Sequence, residues 1–212
     1  MDDTLVDANK THITAYNKAF LKNGLPRVPA KRLKQLFGMM SDKIVKKLFP
    51  KLTKEGIKKV CEDNHIFLIK ETKESTRPFK NVLKTLRVLK KRYYLALISN
   101  CRHSEIDVTL KKVCINKKLF DAIIGNDDIK HPKPAPDEVI KARRLICKKF
   151  KIKRITTYMV GDTIYDVLAG KRAGAKTIGV LTGNQDYETL KKENPDMILK
   201  NVNELPKALE SV

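Results

Sequence analysis

The chain is 212 residues and 24.2 kDa, with 45 Lys and Arg against 24 Asp and Glu, a net charge of +21 and a pI near 9.8. A 42% hydrophobic content with nine Gly and nine Pro excludes a disordered or collagen-like polymer, and the longest apolar run, Tyr93 to Ile98, is far short of the roughly 18 residues that span a bilayer. The acidic start MDDTLVDANK has no basic segment leading into an apolar one, so no secretory signal is expected and the protein is expected in the cytoplasm.

In chain order, residues from about 8 to 75 read as consecutive short helices. Ile13, Tyr16 and Phe20 mark the first, before the break at Gly24-Leu25-Pro26. Leu33, Leu36, Phe37 and Met40 recur at i, i+3, i+4, i+7 and predict another, and Ile57, Val60 and Cys61 mark one more after Thr53. From residue 79 the pattern alternates. Val82, Leu83, Leu86 and Leu89 predict a helix, Tyr93 to Ile98 a buried strand ending at Ser99-Asn100, and Leu110 and Val113 the face of the next helix. A strand at Phe120 to Ile124 leads into the Pro-broken loop HPKPAP (131–136) and a helix carrying Val139, Ile140, Ala142 and Ile146. Ile155 to Val160 predicts the next strand, residues from about Thr163 to Ala173 a helix stopped by Gly174, and Thr177 to Leu181 and Met197 to Leu199 two shorter strands. Strands separated by helices predict an α/β fold with a parallel, doubly wound, Rossmann-like sheet. The joints fall near Asp7-Ala8-Asn9 and Thr76-Arg77-Pro78. Residues 1–8 and 76–212 are therefore expected to form the α/β core, and 9–75 an inserted all-helical domain.

Cysteines 61, 101, 114 and 147 form no CxxC pair and take no zinc-like spacing with His, so they read as reduced thiols. The positive charge is spread. Residues 10–75 hold 16 basic and six acidic groups, no basic tail exists, and only six Tyr and seven Phe are available to stack on bases. A Lys-rich solvated surface is favoured over a nucleic-acid face.

In doubly wound sheets ligands sit beyond the carboxyl ends of the strands. The residues there are Ser99-Asn100, Lys133 and GDTIYD (161–166). Asp162 and Asp166 are four apart on one side of a first helical turn, where like charges repel unless a cation sits between them, and Mg²⁺ suits an all-oxygen donor set. The plainer alternative makes Asp162 a helix cap and Asp166 a complement to the helix dipole. Ser99 and the N–H groups after it offer a phosphate cradle, or merely start a turn. Lys133 lies between Pro132 and Pro134, which fix the backbone from which its cation extends. Asp2, Asp3 and Asp7 place three carboxylates in the first seven residues.

Taken together, MDDTL, Ser99, Lys133 in HPKPAPD, and VGDTIYDVLAGKRAGAKTIGV resemble the four motifs, in order, of the haloacid dehalogenase-like hydrolases, closest to the phosphoglycolate phosphatase-like branch with a helical cap. The resemblance implies a Mg²⁺-dependent phosphatase that forms an aspartyl-phosphate on a small phosphorylated metabolite. It assigns Asp2 and Lys133 to catalysis, and Thr4, Ser99, Asn100 and Lys133 to phosphate binding. The metal would go to Asp162, Asp166 and the backbone carbonyl of Asp2. A sugar phosphomutase of the same family is the alternative, weakened by Phe37 and Ser41 around Gly38, where such enzymes place Lys and Arg.

One departure stands out. The family's first motif is D-x-D-x-T after an apolar strand, and Asp2 and Thr4 match its second aspartate and its threonine. The nucleophilic aspartate would be numbered zero. A sheet without that central strand leaves buried N–H and C=O groups unpaired on two neighbours, at about 1 to 3 kcal/mol each. The expectation is a start assigned at an internal Met or a shortened chain, with the 212-residue form inactive. The other reading is a nucleophile-less, basic relative that binds nucleic acid or another acidic partner.

Overall fold

A computed structural model describes residues 1–210. Its first third is helical because apolar residues recur at helical spacing between definite stops. α1 (Asn9–Lys22) turns Tyr16, Ala19 and Phe20 inward and ends before Gly24, which takes the left-handed φ of +70°. α2 (Ala30–Lys34) is shorter than the spacing of Leu33, Leu36, Phe37 and Met40 predicts. Turns follow Lys34, and Gly38, at φ +94°, adopts a conformation no right-handed helix contains. α3 (Ser41–Leu48) and α4 (Lys54–Ser75) follow, α4 opened by Thr53, whose hydroxyl accepts the N–H of Gly56. The four helices share one core around Phe20, Leu33, Val45 and Val60, and Phe20 meets Phe49 edge-on at 5.0 Å.

A two-stranded antiparallel ribbon, β1 (Val6–Asp7) with β2 (Arg77–Pro78), carries the chain into and out of this bundle. Beyond it come α5 (Val82–Lys90), β3 (Ala96–Ile98), α6 (His103–Lys112), β4 (Ala122–Ile124), α7 (Asp137–Phe150) and β5 (Tyr158–Gly161). α8 (Ile164–Arg172), β6 (Lys176–Val180), α9 (Tyr187–Lys191), β7 (Met197–Leu199) and α10 (Leu205–Ala208) complete the alternation. β3 pairs in parallel with β4, Leu97 opposite Ile123, and β5, β6 and β7 form a second parallel set with Met159 opposite Thr177. Side chains alternate between faces. Leu97 joins Leu86, Ile106 and Val202 on one side, while Ile98 and Met159 join Val139 and Ala169 on the other. Helices thus cover both faces of a parallel sheet, a doubly wound α/β fold. Among the described residues no helix is long and apolar enough to cross a membrane.

Three strands are shorter than their apolar runs. The run 93–98 yields a ladder only at Ala96–Ile98, 120–124 only at Ala122–Ile124, and 155–160 becomes Tyr158–Gly161. An apolar run reports burial on both faces, whereas a ladder needs a hydrogen-bonding neighbour at each residue. β3 and β5 each have one on a single edge, so the sheet stands in two pieces, and Ala96 and Tyr94 remain exposed.

Candidate active site

β3 and β5 end at a common pocket of about 280 Å³, floored by the α/β core and roofed by the helical bundle. The residues expected to serve catalysis, phosphate and metal line it, Asp2, Thr4, Ser99 and Asn100 from one side and Lys133, Asp162 and Asp166 from the other, while Asp7 does not. After β5 the chain turns into α8 through Thr163, whose N–H (3.0 Å) and hydroxyl (2.7 Å) both donate to Asp166 Oδ2. That capping box leaves Asp166 Oδ1 to accept from Lys133 Nζ at 2.7 Å, a contact between two nearly buried side chains. Two glycines make the room. A Cβ on Gly161 would lie 2.3 Å from Asp166 Cγ, and one on Gly183 would lie 2.1 Å from Asp162 Oδ2.

Burial pushes the Asp162 carboxyl up, and the charge of Asp166 pushes it further. Asp166 feels the same burial, but the Lys133 ammonium and the Thr163 donors hold it below the usual carboxylate range. Burial works against the Lys133 charge, yet Asp166, Glu138 and Asp162 together hold its pKa above the ordinary lysine value. One lysine therefore faces three carboxylates. The surplus negative charge and the all-oxygen donors, Asp162 and Asp166, fit a hard divalent cation such as Mg²⁺.

The N-terminal segment crosses the pocket floor. Thr4 Oγ1 donates to Asp162 Oδ1 at 2.6 Å, so this hydroxyl, assigned to phosphate by the sequence, is engaged with a carboxylate. Asp3 takes φ +52°, a left-handed turn that Asp tolerates, and its side chain accepts from the Ala8 N–H and Asn184. Burial raises Asp3 to about 6. Asp2 turns into the pocket, where the Cys101 thiol donates to Oδ2 at 3.3 Å and His12 Nε2 stands 3.8 Å away. Burial would raise Asp2, but His12, the Met1 ammonium and Cys101 outweigh it and hold the carboxyl at about 2.

Ser99 is buried and its hydroxyl accepts the Cys101 N–H at 3.2 Å. Asn100 ties floor to roof, its Nδ2 donating to the Gly38 carbonyl at 3.0 Å while its buried Oδ1 has no partner among the described residues. His65 of α4 meets Glu105 of α6 at 2.7 Å, a second tie between roof and floor. Sequence reasoning missed His12, Cys101, the His65–Glu105 pair and Glu138. Glu138 is wholly buried, neither carboxylate oxygen finds a side-chain hydrogen-bond partner among the described residues, and burial pushes its carboxyl up despite Lys133. An acid two residues into a helix signals only a dipole complement. Nothing local in α1 marks His12 as facing a carboxylate.

The haloacid dehalogenase-like hydrolase family matches residues 1–180. The phosphoglycolate phosphatase of Aquifex aeolicus is 28% identical over 216 aligned residues, covering all of this chain and 94% of that protein. The pyrophosphatase PpaX of Bacillus velezensis is 35% identical over 133 residues, 62% of this chain and 59% of that protein, so there the match spans about three fifths of the relative. In fold, a hydrolase from Pseudomonas syringae solved by crystallography superposes with a TM-score of 0.84 at 21% identity, covering all of this chain and 95% of that one. A parallel, doubly wound sheet, carboxylates at the end of β5 and a match over most of the sequence lead to one assignment: the chain belongs to the haloacid dehalogenase-like hydrolase family.

Proposed function

We propose that the protein is a Mg²⁺-dependent phosphatase for a small phosphorylated metabolite, of the phosphoglycolate phosphatase kind, in which the phosphoryl group passes through an aspartate. The observation that carries this reading is the convergence of Asp2, Lys133, Asp162 and Asp166 on one small pocket. Asp162, Asp166 and the Asp2 carbonyl would hold the ion, which supplies charge neutralisation on the phosphoryl oxygens. Lys133 and the donors of Ser99 and Asn100 bind the remaining oxygens and keep the phosphate turned toward the N-terminal segment. Asp2 moves the proton, giving it to the leaving oxygen and later taking one from water. At about 2 it is ionised at neutral pH. A phosphate dianion beside it raises its proton affinity, and a peptide bond in place of the Met1 ammonium removes one of the charges that depress it. The family's first motif puts its nucleophilic aspartate two positions before Asp2, so turnover is tested in a form extended by an Asp before Met1.

The names of the relatives favour phosphoglycolate and pyrophosphate as first substrates, and a volume of about 280 Å³ suits molecules of that size. Phe37 and Ser41 line the roof where a phosphomutase would need cations, which favours hydrolysis. The test is phosphate release from phosphoglycolate, pyrophosphate, sugar phosphates and a 3′-phosphorylated oligonucleotide by the extended form, with Mg²⁺ and with chelator. Release from a small substrate that needs Mg²⁺ supports the reading. No release, together with steeply salt-dependent RNA binding, overturns it in favour of a nucleic-acid-binding protein.

A further inference from the structure

α4 presents one stripe to the active-site pocket: Cys61, Asn64, His65 and Leu68 line it at i, i+3, i+4, i+7. Three of the four are accounted for. Cys61 accepts from the Ser41 hydroxyl at 3.4 Å, His65 meets Glu105 of α6, and Leu68 is buried. Asn64 is not. It is 4% exposed, and its Nδ2 is buried without a hydrogen-bond partner among the described residues.

That position is costly for an amide. Val60 and Leu68, one turn before and one turn after, are buried, so the stripe suits an apolar residue, and asparagine is a poorer helix former than leucine. A buried amide with an unmade hydrogen bond has lost its hydration without compensation. The fold makes no use of this donor, whereas a ligand in the pocket can.

Where the donor stands decides what it meets. Ser99, Lys133, Asp162 and Asp166 all come from the α/β core on the floor, and Asn64 hangs from the roof beside the His65–Glu105 tie. What extends from a phosphoryl group on the floor toward the roof is its leaving group. The cations of the pocket are committed elsewhere: Lys133 to Asp166, His65 to Glu105, His12 beside Asp2, with Arg102 exposed. The rest of the roof is largely apolar, with Phe37, Met39 and Ile44. Between apolar walls a single N–H discriminates strongly, because a leaving group without an acceptor leaves it unpaired.

We propose that Asn64 is a specificity-determining residue whose Nδ2 donates to an oxygen of the leaving group. The substrates are then small phosphate esters or anhydrides whose leaving group carries an acceptor oxygen of its own, carboxylate, phosphoryl or hydroxyl, and not plain alkyl phosphates. This rests on the phosphatase reading for the place of the phosphoryl group on the floor.

The test uses phosphonates, in which a methylene replaces the bridging oxygen, so that binding is read without turnover. 3-Phosphonopropionate mimics phosphoglycolate, and propylphosphonate carries a methyl in place of the carboxylate. Each is titrated calorimetrically, with Mg²⁺, into the wild type, Asn64→Leu and Asn64→Ala, the last adding no volume to the roof. The wild type should bind 3-phosphonopropionate about tenfold or more tightly than propylphosphonate. Both variants should close that gap by weakening the first ligand and leaving the second unchanged. Methylenediphosphonate and 3,4-dihydroxybutylphosphonate carry phosphoryl and hydroxyl oxygens instead, and the ligand that the variants weaken most identifies the oxygen that the amide holds. A gap that persists in the variants, equal weakening of all ligands, no preference of the wild type for any oxygen-bearing ligand, or no binding of any phosphonate overturns the proposal. Phosphate release from phosphoglycolate and ethyl phosphate is scored separately in the form extended by an Asp. Discrimination between the phosphonates without release supports the role of Asn64 and counts against the phosphatase reading, and equal release from both esters does the reverse.

Discussion

Replacing Lys133 with Met isolates the charge balance of the site. The ammonium sits 2.7 Å from Asp166 Oδ1, between nearly buried partners, and also faces Glu138 and Asp162. Without it Asp166 keeps only the two Thr163 donors and lies beside a second carboxylate. Removing one member of a buried pair costs about 3–5 kcal/mol, a large part of the roughly 5–15 kcal/mol that holds a domain together. In the wild type the Asp166 carboxyl is held low, so its contribution is present above the ordinary carboxylate range and is lost as pH falls through its folded pKa. In Lys133→Met, burial and Asp162 push that carboxyl up, so the folded variant gains a proton, and stability, as pH falls. Urea unfolding should show the largest deficit near pH 8 and a smaller one near pH 5. Adding Asp166→Asn should recover most of the loss. A deficit that does not change with pH, or a double variant no better than the single one, refutes the charge argument.

Glu138→Gln should make stability fall less steeply with rising pH than in the wild type, because a buried carboxyl pushed up favours the folded state at low pH and penalises it as it ionises; parallel pH profiles would contradict this. Gly183→Ala should weaken Mg²⁺ binding about tenfold or more by displacing Asp162, with the far-ultraviolet circular dichroism unchanged, since the added Cβ meets that carboxylate and not the core; calorimetric titration reads it. In the extended form, Asn100→Ala removes the tie to Gly38 and should raise KM more than it lowers kcat, because it loosens the roof and leaves the acid–base group in place.

What the sequence made legible were features with a local signature. Asp162 and Asp166 show as an i, i+4 pair after an apolar run, and Lys133 as a cation fixed between prolines. Thr53 opens α4 with its hydroxyl, and Gly174, at φ +67°, follows the end of α8 in the left-handed conformation that glycine adopts freely. The illegible parts depend on neighbours distant in sequence. Leu36 and Phe37 keep helical spacing into a turn because each still packs on the bundle core, and only Gly38 hints at the break. The lengths of β3 and β5 are set by strands alongside them, which no apolar run reports. Glu138 and His12 gain their meaning only when α7 and α1 bring them to Lys133 and Asp2.

The central claim, phosphoryl transfer through an aspartate in this pocket, is tested most directly by trapping that intermediate. The extended form is mixed with Mg²⁺ and ³²P-labelled substrate, quenched in acid within milliseconds, and the protein-bound label is treated with hydroxylamine. The account predicts a labelled protein whose phosphate is released by hydroxylamine, as an acyl phosphate requires, with the label lost in Asp162→Asn and accumulating in Asp2→Asn because water attack is slowed more than transfer. Steady turnover with no protein-bound label in the wild type or in Asp2→Asn, or label undiminished in Asp162→Asn, would contradict it.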